Sequence, residues 1–563
     1  MSFKLQVSDR NYTEYSIINV KSDETIPDIN PIKYKLFTQD IFNYDKTTET
    51  LTLEHSTMRS MKNIPGVLVL EGNKRYGRHK SKFLYKCIPD DRQFPIFMAP
   101  YAIKIGFNKR LFNKYVVFKF LHWNDKHPRA TIVQIMGNVT ELVNFYEYQL
   151  YCKSLYTSIQ NFHKKTMRAL KEKSEDEYIE YMYKTYTIQD RRQCNIISID
   201  PEKSKDFDDA FSIKEMPNNA FCLSVYISNV SFWLDAMDLW DSFSQRISTI
   251  YLPDRKRPML PPILSDTLCS LQENRIRFAF TLDIIVNKKT FQIEDHSFCN
   301  SCICVKSNLR YDTPEQENNQ LYIKAFSYIK SMNSVNKYVD SIDTSHDLVA
   351  YIMILMNYLS AKYLSTQKKG IYRSAKCNTD FTAPENVPGK IQKFLKMWNS
   401  LGGQYVNYEN KESHDMLELD AYVHITSPIR RLVDLLNIMA IQDSLGLMKL
   451  KDCRLEFYNK WTDDLEYINT TMRSIRKVQN DCSLLCLCTN NADILQREHS
   501  GFIFDKIVRN GLYQYMVYFS EFKMVNRFTS KHDKENLSKQ KFKLFVFTDE
   551  IQLKQKIRIE LVL

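Results

Sequence analysis

The chain has 563 residues, 44% of them hydrophobic and 26% charged, with only 12 glycines. That is too long for one ordinary core; it implies about three or four domains of roughly 100–200 residues each and excludes collagen-like or low-complexity sequence. The formal net charge of +12 favours a polyanionic partner but, spread over the whole chain, does not select one.

The N-terminal stretch MSFKLQVSDRNYTEYSIINV is too polar for a secretory signal. Residues 1–65 are mixed and polar, an N-terminal segment that forms all or part of a first small barrel. From Gly66 the chain alternates, as GVLVLEG, KFLYKCIPDD and KYVVFKFLHW, which predicts strands of a small barrel over 66–150. A charged helical connection follows at 151–190. A large mixed region, 191–497, opens with strands (IISID, CLSVYISNVSFWL) and closes with helices, including Asp347–Gln367 and Leu455–Leu487. Within it LVAYIMILM, Leu348–Met356, is too short to span a bilayer and reads as a buried helix, so no membrane partner is expected.

The last segment, 498–563, returns to strands (GFIFDKIV, YQYMVYF, KFKLFVF, KIRIELV), and 501–563 carries twelve Lys/Arg against seven Asp/Glu. Lys541-Phe542-Lys543-Leu544-Phe545 alternates cation and apolar side chain, as a barrel strand with one face inward does. A basic, aromatic small barrel suits single-stranded nucleic acid; an ordinary solvated strand fits this segment equally. The thirteen cysteines read as reduced thiols in a cytoplasmic setting with no disulfide-linked partner. Cys299, Cys302 and Cys304, and Cys482, Cys486 and Cys488, are better explained as buried thiols than as a zinc site.

Ile199–Phe211 reads IDPEKSKDFDDAF, four aspartates (Asp200, Asp206, Asp208, Asp209) within ten residues. Ile199, Phe207, Ala210 and Phe211 alternate with the acids and tie them to a core, which argues against a merely solvated loop. An EF-hand fails because Lys205 stands where its glycine should be and Phe211 where its glutamate should be. Magnesium, a hard ion that prefers carboxylate oxygen and keeps positions for water and phosphate, fits better. Two such ions about 4 Å apart can support phosphodiester hydrolysis.

Cations for a substrate phosphate come from AYVHITSPIRRLVDLLN, Ala421–Asn437. Ser427 and Pro428 predict a helix start with serine at the N-cap, placing Arg430 and Arg431 in the first turn, where positive charge opposes the dipole. Ile429, Leu432, Val433 and Leu436 then bury one face. A structural pair between Arg430 and Asp434 is the bland alternative.

Together these stretches resemble the ribonuclease II / ribonuclease R family, the RNB exoribonucleases. The aspartate stretch, YLPDRKRPMLPPILSDTLCSLQENRIRFAFT (Tyr251–Thr281), CVKSNLRYD (Cys304–Asp312) and HDMLELDAYVHITSPIRRLVDLL (His414–Leu436) are similar to four of its blocks, in the family's order. The resemblance implies an α+β multidomain chain in which a central RNB domain, a mixed sheet with helices, is flanked by small OB-type barrels, cold-shock-like at the N-terminus and S1-like at the C-terminus. It implies magnesium-dependent 3′→5′ hydrolysis of single-stranded RNA to nucleoside 5′-monophosphates. Two Mg2+ ions, with Mn2+ as substitute, would be held by Asp200, Asp206, Asp208 and Asp209. Asp208 and Arg430 would be catalytic, and Tyr251, Arg277, Tyr311, Ser427 and Arg431 would contact RNA. An RNA-decay assembly and a monomer both fit.

The chain departs from the family at Tyr226 and Asn229, which replace a histidine and an acid, and at Tyr351, Ile438 and Gln479. These changes keep open a catalytically weakened RNB-fold protein that binds RNA or regulates. All four aspartates persist, and unmatched buried charge is costly to keep without use.

Overall fold

A computed structural model describes residues 2–20, 29–45, 47–103, 110–376, 387–399, 403–509 and 511–562. The chain forms two compact units, one of Met1–Tyr156, Leu252–Asp254 and Arg476–Leu563, the other of Thr157–Tyr251 and Arg255–Ile475. The division at 475/476 falls within the helix Leu465–Asn490.

In the first unit, residues before 60 make a four-stranded antiparallel sheet ordered Tyr15–Asn19, Ser2–Val7, Ile41–Asp45, Thr50–His55. A closed barrel follows. Strand Ile64–Leu68 pairs with Lys82–Pro89 on one side and Lys114–His122 on the other, while Phe97–Tyr101 and Arg129–Asn138 join in parallel to complete the ring. That connectivity is the five-stranded Greek key of an OB fold. Closure brings backbones close at Gly66, where a Cβ would lie 2.6 Å from the Ile88 carbonyl oxygen and 2.8 Å from the Phe118 ring. The four-stranded sheet and the barrel share one core, with Phe3, Leu5 and Phe42 beside Phe97, Val116 and Phe118. The N-terminal segment is therefore a packed sheet rather than a piece of a separate barrel.

The C-terminal sheet of the same unit is ordered Met524–Ser530, Leu512–Phe519, His499–Arg509, Lys539–Thr548, Gln555–Leu561. Phe542 and Leu544 are fully buried, and Lys541 and Lys543 point outward, as period two requires. Strand Met524–Ser530 has no counterpart in the sequence reading, since MVNRFTS buries only Phe528 and Ser530.

The second unit is built on a seven-stranded mixed sheet. Its order is Gln189–Asp190, Ile293–Cys304, Ile276–Asn287, Ala220–Ser228, Asp209–Met216, Ile197–Asp200, Ser307–Arg310. The central strand Ala220–Ser228 is buried along its whole length. CLSVYISNVSFWL is not one strand: it breaks at Asn229 into a strand and the helix Val230–Ala236. The Asn229 N–H donates to the Phe278 carbonyl at 3.0 Å, and its side chain joins a buried polar group with Asn300, Ser231 and Gln442. These bonds hold the turn where a continuing strand would have run.

Two apolar clusters sandwich the sheet. One includes Phe232, Trp233, Leu432 and Trp461; the other packs strand residues such as Leu223 and Leu282 against Leu348, Ile352 and Leu355. The last three lie on the helix Ser345–Thr366, which is long and apolar enough to cross a membrane by composition, yet 61% of its most apolar window is buried inside the protein. The expected single helix over Leu455–Leu487 is two, Cys453–Asp463 and Leu465–Asn490. All twelve cysteines among the described residues are free, and Cys377 lies outside them.

Candidate active site

Asp200 is the last residue of strand Ile197–Asp200, and Asp209 the first of the antiparallel neighbour Asp209–Met216. The connecting loop therefore delivers all four aspartates to one end of one strand pair. The loop is pinned from beneath. Ser270 Oγ accepts from the Phe207 N–H at 3.0 Å and donates to the Lys205 carbonyl at 2.8 Å. The Leu271 N–H donates to the Phe207 carbonyl, and the Ser228 N–H to that of Asp208. Ile199, Ala210 and Phe211 are buried, anchoring the acids between them.

The acids line a cavity of about 880 Å³ that Tyr251, Tyr311, Ser427 and Arg430 also line. Asp208 is 3% exposed; its Oδ1 accepts from the Ile429 N–H at 2.8 Å, and its Oδ2 lies 3.2 Å from Arg430 Nε. Asp206 Oδ1 accepts from Lys256 Nζ at 2.8 Å. Asp200 Oδ2 is buried with no hydrogen-bond partner.

Electrostatics reflect this incomplete compensation. Burial, then the charge of Asp209, pushes the Asp200 carboxyl up to about 8. Burial raises Asp208 to about 8 against the opposing pull of Arg430 and the Ile429 N–H, and raises Asp209 to about 6. Groups that resist losing a proton this strongly are carboxylates short of positive charge. An orphaned buried oxygen among hard oxygen donors fits a divalent cation such as magnesium. Among the described residues no three His, Cys, Asp or Glu side chains are already gathered as a cation cage, as expected where like charges repel and Lys256 and Arg430 each draw one acid aside.

The arginine segment is built differently from its sequence reading. The helix begins at Leu432, not after Ser427, and Arg431 is its extended N-cap with φ −146°. The cause is tertiary. The Thr249 N–H donates to the Arg430 carbonyl at 3.0 Å and the Leu432 N–H to the Ile247 carbonyl at 2.9 Å, while Arg431 forms a β-bridge with Ser248. Backbone groups claimed by 247–249 cannot enter a helix. Ser427 is thus no helix cap; its own N–H donates to Asp434 Oδ1 at 2.8 Å. Arg431, not Arg430, takes the structural pair, with Nη2 2.8 Å from buried Asp434. Arg430, 45% exposed, is left facing the acids.

The remaining residues separate in the same way. Tyr251 is exposed at the cavity wall, and Tyr311 stacks on His346 with centroids 3.8 Å apart. Arg277 does not reach the cavity: it is buried and donates to the Ser270 and Ile276 carbonyls at 2.8 and 2.7 Å and to Glu175 at 3.3 Å, a brace beneath the acid loop. Of the five departures, Tyr226, Asn229, Tyr351 and Ile438 are buried, and none of the five lines the cavity.

Sequence reasoning missed Lys256, Asp266 and His346, which do line it. Lys256 Nζ lies 3.0 Å from Asp266 Oδ1 as well as 2.8 Å from Asp206. Burial would depress its ammonium, but the bonds to Asp206 and Asp266 prevail and raise it. The available signal was the pair Tyr251 and Lys256 in one short block, which a hairpin sets directly across from each other.

The RNB domain family matches residues 188–320 and 315–446, the stretch that holds every residue lining the cavity. Exoribonuclease 2 of Vibrio cholerae serotype O1 is 37% identical over 117 residues, 21% of this chain and 17% of that protein. The chain spans less than half the length of the curated relatives it matches, from 13% to 47%. Among solved structures, Mycoplasma genitalium RNase R in complex with ribose methylated single-stranded RNA superposes over 100% of both chains with a TM-score of 0.70 at 16% identity. Yeast Ssd1, a pseudonuclease, superposes with a TM-score of 0.58 at 12% identity over 94% of this chain and 78% of that one; at such identities the likeness is one of fold. The matched region, residues 188–446, carries the acid loop, the arginine turn and the sheet that joins them, and it is an RNB domain.

Proposed function

We propose that the chain is a 3′→5′ exoribonuclease that hydrolyses single-stranded RNA to nucleoside 5′-monophosphates with magnesium. The observation that carries this reading is the cavity where four aspartates, one of them with an orphaned buried oxygen, meet a half-exposed arginine and two tyrosines. Asp200, Asp206, Asp208 and Asp209 would hold magnesium, or manganese in its place; when bound, the metal lowers the pKa of a coordinated water and neutralises phosphate charge.

The chain's own residues do the rest. Arg430, free of the helix that follows it, donates to a phosphate oxygen where negative charge grows. Asp208 holds that guanidinium on one side and faces the cavity on the other. Tyr251 and the Tyr311–His346 stack offer flat faces for the terminal bases. In the hydrolysis the oxygen of water bonds to phosphorus, the 3′-oxygen of the preceding nucleotide leaves and takes a proton, and one nucleoside 5′-monophosphate departs. The OB-type barrel and the C-terminal sheet supply a sequence-blind hold on the strand: Arg75 and Arg78 lie over Phe83, and Arg558 over Phe545 and Phe547.

A second reading, an RNB-fold protein that binds RNA without cutting it, draws on the internal pairs Lys256–Asp206 and Arg430–Asp208, which already neutralise two acids. Incubating 5′-labelled RNA and DNA oligomers with magnesium or EDTA separates the two. The nuclease reading expects a ladder of 3′-shortened RNA with magnesium alone; bound but uncut RNA under every condition would leave only the second.

A further inference from the structure

The two ends of the acid cluster are furnished differently. At one end Asp200 has a buried oxygen with no partner. At the other, Lys256 Nζ sits between Asp206 Oδ1, at 2.8 Å, and Asp266 Oδ1, at 3.0 Å. This lysine is held in place rather than laid across the surface. Its strand, Lys256–Arg257, pairs with Ile250–Tyr251, where Tyr251 is its direct cross-strand neighbour. Asp266 is fixed in turn, accepting from Ser265 Oγ at 2.6 Å while its carbonyl accepts from Gln272 Nε2 at 2.8 Å. An ammonium between two carboxylates occupies the kind of position a bridging cation takes.

We propose that Lys256 is a resident positive centre in this cavity, so that the acids take one divalent ion, on the Asp200–Asp209 side, and not two. The inference rests on the metal-dependent reading above and changes its ion count. Charge supports it. The cavity lining carries five carboxylates (Asp200, Asp206, Asp208, Asp209, Asp266) and four cationic side chains (Lys203, Lys205, Lys256, Arg430). With all of them ionised the balance is −5 + 4 = −1. One divalent ion brings it to +1, the complement of a single phosphodiester; a second would bring it to +3. A lysine gives a fixed charge beside the phosphate but cannot lower the pKa of a coordinated water as a metal does. The division of labour is therefore unequal: Lys256 balances Asp206 and Asp266, and the acids on the Asp200–Asp209 side would hold the one ion whose chemistry, when bound, is to acidify water.

The test counts ions on the full chain without RNA. EDTA-stripped protein is titrated with Mn2+ and free Mn2+ is read by electron paramagnetic resonance, for wild type, Lys256→Met and Lys256→Arg. The expected result is one tightly bound Mn2+ per wild-type chain, one on Lys256→Arg, and two on Lys256→Met, the second marked by a spin-coupled dimanganese signal. Two ions on wild type would overturn the assignment of Lys256 alone, and that count stands even if Lys256→Met does not fold. One ion on a folded Lys256→Met would overturn it too. No ion on any of the three would overturn the metal reading and this inference with it.

Discussion

Two acid–arginine pairs lie in the same seven-stranded unit and behave in opposite ways. Asp283 receives Arg191 Nη1 at 2.7 Å and Ser224 Oγ at 2.6 Å on one oxygen and Arg191 Nη2 on the other. Burial would raise its carboxyl, but these bonds prevail and hold it below the ordinary value. Asp208 also has an arginine and a backbone N–H, yet burial and its acid neighbours push it up to about 8. The difference is saturation. Asp283 sits in a closed, bidentate pair with its oxygens satisfied, whereas Asp208 shares one arginine with a crowd of carboxylates. A closed pair is architecture, and an under-compensated cluster is a site waiting for charge.

Breaking each pair should therefore have different consequences. The largest effect is expected at the site. Asp208→Asn should lower mononucleotide release by on the order of 10³-fold while RNA affinity is kept and the melting temperature does not fall, measured by single-turnover assay, filter binding and calorimetry. A variant with near-normal turnover would remove Asp208 from the reaction. Asp283→Asn should do the reverse. It strands a partly buried guanidinium and should cost about 3 kcal/mol of stability, with cleavage per folded molecule preserved. Loss of activity in fully folded Asp283→Asn would erase the contrast.

The smallest effect, on pH, has opposite signs for the two acids. Asp200, Asp208 and Asp209 have folded pKa values raised to about 8, 8 and 6, so the folded chain holds protons that the unfolded chain releases near 4. Their contribution to stability is complete at low pH and is lost as pH rises through 6 and 8. Asp283, lowered, contributes above about 4 and loses that only as pH falls. Metal-free protein should thus melt at least about 5 °C lower at pH 8.5 than at pH 6, and magnesium should remove most of the difference. A melting temperature flat across this range, or one that rises, would contradict the under-compensated cluster.

Much of this was legible in the chain itself. Strand periodicity located the barrel strands at 82–89 and 114–122 and the C-terminal strand at 539–548, because burial on one face imposes alternation whatever the surroundings. The aspartate loop was legible for a similar reason: its buried Ile199, Ala210 and Phe211 are neighbours in sequence. The arginine turn was misread because serine and proline before an apolar helix state a local preference, which three residues of a distant segment overrule. That Arg277 lies beneath the loop and not in the cavity was not legible, because a motif match does not say where a side chain packs.

Sequence alone determined the acid loop, its four aspartates, their order and the strand end that carries them, since these depend on spacing over a dozen residues; Lys256, Asp266 and His346 join the cavity only through the fold. Tertiary structure alone decided who neutralises whom. Arg430 meets Asp208 across 222 positions and Lys256 meets Asp206 across 50, and Arg431 turns away to Asp434. Charge acts through space and through whatever dielectric the fold supplies, so the balance that leaves this cluster short of positive charge exists only once distant segments have packed.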